Sequence, residues 1–315
     1  MTVAARPAEL AMQTDTLRVN VLPALGGKIA SLRWLPQDVE LLQQPLAPYA
    51  QRNLTMGFEE SDASGFDECL PSVAACEIRT ARGIVSVPDH GDVWRLPWES
   101  SQSGNEIRMG TTGTSLPLRL ERTLRLNDRE LSLDYSLRNL DTVPLEYAWS
   151  AHPLFAVDPG DRLVLPTSVG EFQVEGSNGR RLGSKGAKHA WPRTLGSEGC
   201  DVDLSLAGSP ADHIGDKLFT KAPREGWAAI ERAGVGLRLE ISFDPVRNPW
   251  LGLWLCYGGW PEGAGSRQQC VAIEPCTAPA DSLTEAVSAG WGRRLEPGES
   301  DRWSMRIRVE RLVYG

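Results

Sequence analysis

Apolar and polar residues alternate with a period of two along much of the chain, and this period is typical of strands that bury one face and expose the other. The clearest case is residues 118–137, where apolar residues fill alternate positions on both sides of an Asn127-Asp128 pair. Two alternating segments joined by such a polar pair predict a β-hairpin. The same pattern predicts strands within residues 17–35, 227–243 and 302–313.

Residues 249–260 differ from these stretches because they are apolar almost without interruption. A continuous apolar run predicts a central strand that is covered on both faces. No segment has a convincing helical period, and only residues 281–290 are expected to form a short helical turn. The patterns predict an all-β fold, a large sandwich of antiparallel sheets with long connecting loops. We expect residues 1–315 to form one domain, with 1–16 as a peripheral N-terminal segment.

The charge balance limits the classes of partner. The chain has 33 Lys and Arg against 41 Asp and Glu, which gives a net charge of −8. This balance, without a basic run or a basic helix face, argues against nucleic acid and anionic membranes. No signal-peptide pattern and no membrane-spanning apolar run is recognised. We therefore expect a cytoplasmic protein, monomeric or homodimeric, that acts on a small molecule.

The six cysteines form no CxxC pair, which argues against a zinc site. In a cytoplasm they are expected to be reduced thiols. We therefore expect neither a metal nor another cofactor.

Two ionisable residues stand in the same local context, directly after an apolar segment and directly before a proline. Glu274 precedes Pro275, and His152 precedes Pro153. Because proline has no N–H to give to a strand ladder, we expect both residues to lie half-buried at strand ends. Residues at two strand ends can meet across a sheet, so we hypothesise that His152 and Glu274 act as a pair.

A carboxylate and an imidazole supply a base and an acid whose ordinary pKa values differ, at about 4.3 and about 6.5. Near neutral pH such a pair can take a proton from one atom and give one to another without a covalent intermediate. The opening of a sugar hemiacetal requires these two transfers, one from the anomeric hydroxyl and one to the ring oxygen. Mutarotation of a free sugar is therefore a reaction that the pair could catalyse.

Three motifs resemble, in matching order, those of the aldose 1-epimerases, or galactose mutarotase-like proteins. They are Asp89-His90-Gly91 with Arg95 and Trp98, then His152-Pro153-Leu154-Phe155, and finally Ile273-Glu274-Pro275 followed by Asp281-Ser282-Leu283. The resemblance extends from about residue 17 to residue 310 and implies a β-supersandwich. It also implies an isomerase of carbohydrate metabolism that interconverts the α and β anomers of a sugar.

The resemblance implies roles for individual residues. Glu274 would be the general base at the anomeric hydroxyl, and His152 would be the general acid at the ring oxygen. His90 would contact sugar hydroxyls or the ring oxygen. Asp216, three residues before Phe219, fits the aspartate that holds sugar hydroxyls, although Asp212 with His213 is a competing alignment.

Other positions depart from the galactose-acting members of that family. Residues 70–75 lack an Asn-Arg pair, Gly252 replaces a glutamine, and Trp94 stands where an arginine is common. We hypothesise that other residues supply the missing contacts and that an arginine among them favours an acidic or phosphorylated sugar. A tryptophan can also stack on a ligand. The candidates for substrate binding are Asp67, Glu68, Arg79, Arg95 and Trp254.

Two other classes of protein stay open. A non-catalytic carbohydrate-binding protein on the same fold would explain the missing substrate contacts. A glycoside-cleaving enzyme needs two carboxylates about 5–10 Å apart. Glu274 with Asp67, Glu68 or Asp216 could supply them.

Overall fold

The computed structural model describes residues 8–263 and 265–312, and antiparallel β-strands make up most of it. In chain order the strands are β1 (Leu10–Gln13), β2 (Leu17–Leu22), β3 (Lys28–Trp34), β4 (Val39–Glu40), β5 (Phe66–Cys69), β6 (Cys76–Thr80), β7 (Gly83–Val87), β8 (Glu99–Ser103), β9 (Glu106–Thr112), β10 (Leu118–Asn127), β11 (Glu130–Asn139), β12 (Leu145–Tyr147), β13 (Ser150–Ala156), β14 (Arg162–Val164), β15 (Glu171–Ser177), β16 (Lys188–Ala190), β17 (Arg193–Leu195), β18 (Asp201–Asp203), β19 (Ile214–Lys221), β20 (Trp227–Arg232), β21 (Leu237–Phe243), β22 (Trp250–Tyr257), β23 (Gln269–Cys276), β24 (Arg293–Leu295) and β25 (Ser300–Arg311). The α-helix α1 spans Leu283–Ser288, and short 3-10 helices lie at Leu35–Gln37, Phe58–Glu60, Val93–Arg95, Asn178–Arg180 and Pro210–Asp212.

Most strands belong to two large sheets. The eleven-stranded sheet has the order β1-β2-β3-β5-β13-β23-β22-β19-β15-β16, with β4 paired to β3. The eight-stranded sheet has the order β14-β20-β21-β25-β11-β10-β9-β8. The pairs β12–β24, β17–β18 and β6–β7 form separate two-stranded sheets. Within residues 8–263 and 265–312, no helix is long and apolar enough to cross a membrane.

The eight-stranded sheet buries one face and exposes the other, as the alternating pattern predicts. The hairpin expected within residues 118–137 is confirmed as β10 and β11, in which Leu124 pairs with Leu133. Buried and exposed positions alternate along both strands. Each fully buried leucine of this kind stabilises the fold by roughly 1.5–3 kcal/mol relative to an exposed one.

The other predicted elements also form. Residues 17–35 contain β2 and β3, residues 227–243 contain β20 and β21, and α1 lies within 281–290. The last predicted strand is β25, whereas residue 313 lies outside the described part of the chain. The same is true of residues 1–7 of the expected peripheral segment, and residues 10–13 of that segment form the edge strand β1.

The centre of the large sheet is buried on both faces, and this confirms the prediction for residues 249–260. In β22, Leu251, Leu253 and Leu255 point into the main core between the sheets. Trp254, between them, points to the opposite face, where loops cover the sheet. A strand in this position must be apolar on both sides, which explains its continuous apolar sequence.

The prediction that His152 and Glu274 lie at strand ends is wrong, because β13 and β23 continue past both residues. Pairing of the two strands stops after Ser150–Cys276 and resumes in the same register at Leu154–Ala272. His152 and Glu274 therefore lie opposite each other within the interruption. Both prolines also lie there, where a missing ladder N–H is tolerated.

Candidate active site

A cavity of about 350 Å³ lies over the centre of the large sheet, on the face turned away from the sandwich core. Its floor is formed by side chains of four neighbouring strands, namely His152 on β13, Glu274 on β23, Trp254 on β22 and Lys217 on β19. Loops form the walls, with Phe58 and His90 in one part and Trp260, Gln268 and Asp281 in others.

The strand register fixes the arrangement of the floor. Across β13, β23, β22 and β19, every second residue points to the cavity side, and residues opposite each other in neighbouring strands form rows. Two adjacent rows make the floor, His152–Glu274–Gly252–Phe219 and Leu154–Ala272–Trp254–Lys217. The sheet, rather than the loops, therefore sets the positions of the ionisable floor residues.

Glu274 is completely buried at the centre of the floor. Its Oε2 accepts hydrogen bonds from Lys217 Nζ and, at 3.4 Å, from Ser150 Oγ. Its Oε1 lies 3.8 Å from His152 Nε2 and has no hydrogen-bond partner among the residues described. This oxygen is therefore available to accept a proton from a ligand in the cavity.

Lys217 is buried and placed between two carboxylates. It contacts Glu274 and lies 3.7 Å from Asp281 Oδ1. Burial alone would lower the pKa of Lys217, but the two carboxylates outweigh burial and raise this pKa above its usual value. Lys217 is therefore an ammonium ion that partly offsets the cost of burying Glu274.

His152 is buried beside a cation and a second imidazole. Burial, then His90 and Lys217, lower the pKa of His152 well below its usual value. Its Nδ1 has no hydrogen-bond partner in the described part of the chain, and its Nε2 is the nitrogen near Glu274. His152 is therefore a neutral imidazole near pH 7.

His90 reaches the cavity from a turn that crosses above the sheet. Its ring stacks on Phe58, with centroids 4.0 Å apart and planes 11° apart. Its Nδ1 lies 2.9 Å from Asp89 Oδ1. The ring meets His152 edge to face, with centroids 5.3 Å apart. Two imidazoles and one carboxylate thus share this side of the cavity.

The indole of Trp254 faces the cavity and is held in place by a hydrogen bond to the wall residue Gln268. Its Nε1 donates to Gln268 Oε1 at 3.0 Å, and Gln268 Nε2 donates to the Ala63 carbonyl at 3.1 Å. The structure thus brings four of the sequence-predicted site residues to the cavity. These are His90, His152, Trp254 and Glu274.

The structure does not bring Asp67 and Glu68 to the cavity, although both were expected to bind substrate. Asp67 is on the same sheet face as His152, but Lys28 and Arg52 bind its carboxylate and bury it. Glu68 points to the opposite face, because adjacent strand residues alternate. It is completely buried between the sheets.

Asp216 and the two arginine candidates also lie outside the cavity lining. Asp216 points to the core side of β19, where Ser177 donates to it at 2.6 Å and Arg181 binds it. Arg95 is buried, and its guanidinium donates to the carbonyls of Leu54 and Asp89. Arg79 is an exposed residue of β6. The hypothesis that one of these arginines selects an acidic sugar therefore lacks a geometric basis.

The chain resembles solved structures in its fold. No protein-family model matches the chain, and no curated protein matches it in sequence. A proposed aldose 1-epimerase from Escherichia coli K12 matches in structure with a TM-score of 0.71 and 18% identity, over 97% of this chain and 99% of that chain. A galactose mutarotase-like protein from Lactobacillus casei ATCC 334 matches with a TM-score of 0.65 and 14% identity, over 96% and 100%. A GalM/aldose epimerase homologue from C. elegans matches with a TM-score of 0.67 and 13% identity, over 98% of this chain and 100% of that chain.

The chain has the galactose mutarotase-like fold. This similarity confirms the predicted all-β class and the large antiparallel sandwich. At these identities the comparison shows the mutarotase-like fold alone, because one fold can host several activities. The activity has to be argued from the cavity.

Sequence reasoning missed several residues that the mutarotase-like fold brings to the cavity. Lys217 is the clearest case. The neighbouring Asp216 fits the spacing of the family motif, so Asp216 was the candidate instead of Lys217. Lys217 pairs with Trp254, which was a candidate, but the strand register that joins them is seen only in the structure. The other missed residues are Phe58, Trp260 and Gln268, whereas Asp281 was named in a motif without a role.

Gly252, a departure from the family sequence, has a physical explanation in this cavity. A Cβ at this position would lie 2.9 Å from Glu274 Oε2 and 3.1 Å from the Phe219 ring. Lys217 is on β19 and Glu274 is on β23. Their contact therefore crosses the intervening strand β22 near Gly252. Here, therefore, Glu274, which Lys217 binds, and Phe219 occupy the space that a side chain at 252 would need.

Proposed function

We propose that the protein is an aldose 1-epimerase-type isomerase that interconverts the anomers of a free sugar. The observation that carries this proposal is the single cavity in which Glu274 Oε1, without a protein partner, stands 3.8 Å from His152 Nε2. His90 lines the same cavity. A base and two imidazoles around one space are the groups that hemiacetal opening requires.

The reaction uses only proton transfers. Glu274 accepts the proton of the anomeric hydroxyl while an imidazole gives a proton to the ring oxygen, and the bond between C1 and that oxygen breaks. Rotation about C1–C2 turns the aldehyde, and the same transfers in reverse close the ring on its other face. Lys217 orients Glu274 by binding its Oε2, which leaves Oε1 to face the ligand.

The size of the cavity favours a monosaccharide. At about 350 Å³ the cavity lies at the small end of the range of small-molecule sites, about 300–1,000 Å³. Trp254 and Trp260 add flat apolar surfaces of the kind that pack against sugar rings.

The charges around the cavity favour a neutral sugar over an anionic one. One lysine, Lys217, faces the acids of the lining, and two of those acids neutralise it. A phosphate or carboxylate on the substrate would meet excess negative charge, which disfavours binding. This replaces the hypothesis of an acidic or phosphorylated substrate. The acids in the lining are Glu59, Asp89, Glu274 and Asp281.

Glycoside cleavage is the second candidate, and one observation favours it. Asp281 and Glu274 both line the cavity and flank Lys217, so two carboxylates are available there. Burial, together with Glu274, raises the pKa of Asp281 against the effect of Lys217. A carboxyl group with a raised pKa next to an ionised one is the arrangement that glycosidases use.

Anomer exchange of free sugars, measured by saturation-transfer NMR over a panel of neutral and anionic monosaccharides, tests the proposal. We expect acceleration of at least one neutral sugar and no acceleration of the phosphorylated or acidic ones. Binding without acceleration would identify a carbohydrate-binding protein. Release of reducing ends from oligosaccharides would support cleavage instead.

A further inference from the structure

The two imidazoles of the cavity are too close to carry a proton at the same time. The rings of His90 and His152 are 5.3 Å apart and meet edge to face at 82°. Two positive charges at this distance repel each other in a poorly solvated site. At most one of the two imidazoles can therefore carry a proton at a time, and their surroundings differ.

His90 has a built-in partner for a positive charge. Asp89 Oδ1 lies 2.9 Å from His90 Nδ1, and Asp89 Oδ2 accepts the backbone N–H of Phe58 at 3.0 Å. The carboxylate is therefore fixed, and in turn it fixes the ring. With Nδ1 bound to a carboxylate, Nε2 is the nitrogen left to serve a ligand.

His152 has no carboxylate within hydrogen-bond distance, since Glu274 Oε1 lies 3.8 Å from its Nε2. Its Nδ1 is buried without a hydrogen bond among the residues described, and the ammonium of Lys217 occupies the far oxygen of Glu274. Burial and the nearby positive charges keep the pKa of His152 well below its usual value. A proton on this ring would be poorly compensated.

The backbone around His90 is strained in a way that places the ring. His90 has a φ of 55°, which is uncommon and unfavourable for a residue other than glycine. A 2.5 Å hydrogen bond from His90 N to the Val73 carbonyl holds this conformation. Gly91 follows with a φ of 71°, and a Cβ there would lie 2.0 Å from the Leu70 carbonyl oxygen. Strain that the surroundings enforce in this way is typical of functional positions.

We propose that the Asp89–His90 pair delivers the proton to the ring oxygen and that His152 is a neutral positioning residue. This inference rests on the proposed function. His90 gives the proton from Nε2 to the ring oxygen, which receives the electron pair of its breaking bond to C1. Glu274 takes the proton of the anomeric hydroxyl as the C1 carbonyl forms, and ring closure returns both protons.

The charged groups around His90 are compatible with this assignment. The carboxylate of Asp89 belongs to its own turn, and Asp281 approaches from the segment before α1. His152 on β13 and the guanidinium of Arg95 oppose a proton on the ring, although Arg95 is engaged with the Asp89 carbonyl. Lys217 and Glu274 face the same cavity as a neutralised pair.

Histidine NMR titration tests the assignment without any substrate, because the chain has only 4 histidines. Signals are assigned with His90→Asn and His152→Asn; asparagine suits position 90 because it tolerates a positive φ. As the pH falls, we expect His90 to gain its proton before His152 does, because burial and the neighbouring positive charges oppose a proton on His152. Asp89→Asn should lower the titration midpoint of His90 by about 1 pH unit. Titration of His152 near neutrality, with His90 neutral, would overturn the proposal.

Kinetics supply the second readout. His90→Asn should lower kcat for anomer exchange about 100-fold or more and abolish the loss of rate at alkaline pH. Asp89→Asn should shift that alkaline loss to lower pH. His152→Asn should act mainly on KM and keep the pH profile. The reverse pattern would refute the role of His90 alone, whereas a wild-type protein without exchange activity would refute the proposed function.

Discussion

Two glutamates are completely buried in the large sheet, and they differ in what surrounds their carboxylates. Glu68 faces the eight-stranded sheet, whose Arg122 and Tyr135 donate to it at 2.6 and 2.8 Å. Trp149, just before β13, donates to it at 2.9 Å. Glu274 faces the cavity, and its Oε1 has no partner in the part of the chain that is described. A carboxylate whose oxygens are occupied cannot serve a ligand, whereas Glu274 can. Burial of an acid is therefore a poor guide to function, and its hydrogen-bond inventory is a better one.

Arg122→Met is expected to have the largest effect, and that effect should be on stability. The substitution leaves Glu68 buried without its cation, which costs about 3–5 kcal/mol when one partner of a buried pair is lost. Chemical denaturation monitored by tryptophan fluorescence measures the free energy of unfolding. Arg125→Met, on the exposed face of the same strand, is the matched control and should change stability far less. Equal losses of stability in both variants would contradict a special structural role of the buried pair Arg122–Glu68.

Glu274→Gln should affect the reaction and not the fold. Glutamine keeps the shape and removes the base, so anomer exchange should slow by about 100-fold or more. Saturation-transfer NMR measures the rate, and thermal unfolding measures stability. Exchange at the wild-type rate would show that Glu274, like Glu68, is structural. Glu121→Gln, an exposed glutamate of β10, controls for loss of charge.

Gly252→Ala tests whether the contact between Lys217 and Glu274 matters for the reaction. The added methyl group would approach Glu274 Oε2 and Phe219, so the Lys217–Glu274 contact has to shift. Overpacking of this kind costs about 1–3 kcal/mol, and the exchange rate should fall with it. Gly234→Ala is the control, because a Cβ there meets no atom within 4 Å. Unchanged stability and rate in Gly252→Ala would show that the space is not needed.

The smallest expected effect is a pH dependence of stability that His152 contributes. The folded state lowers the pKa of His152, so below about pH 6.5 the unfolded chain binds a proton that the folded chain does not. Stability should therefore decrease as the pH falls below about 6.5, by up to about 1.4 kcal/mol per pH unit from this group. His152→Gln should flatten this part of the curve. If wild type and variant show the same pH dependence of stability, a group other than His152 is responsible for it.

The sequence predicted the fold well because the two-residue period survives in strands with one solvent face. In β10 and β11 that period identified both the strands and their buried sides. The structure also brings His152 and Glu274 together, but not for the predicted reason. Their prolines suggested strand ends, whereas the ladder between β13 and β23 opens locally and the strands continue. A proline is compatible with a strand end and with such an interruption, and the partner strand decides between the two.

The remaining site residues could not be assigned from local pattern for a related reason. In β19 both faces are buried, so the alternation that would distinguish Asp216 from Lys217 has no solvent side to mark it. Asp67 and Glu68 pose the same problem in β5, where every residue is buried. Only the position of the second sheet decides which neighbour faces the core and which faces the loops.

The two rows of floor residues have a consequence for how such a protein could change its substrate. Neighbouring strands are about 4.8 Å apart, and successive same-face residues along one strand are about 7 Å apart. The ionisable groups thus occupy a lattice whose dimensions the backbone dictates, whereas the walls come from irregular segments that tolerate insertion. Selection can therefore remodel the rim for a different sugar while the chemistry beneath keeps its spacing.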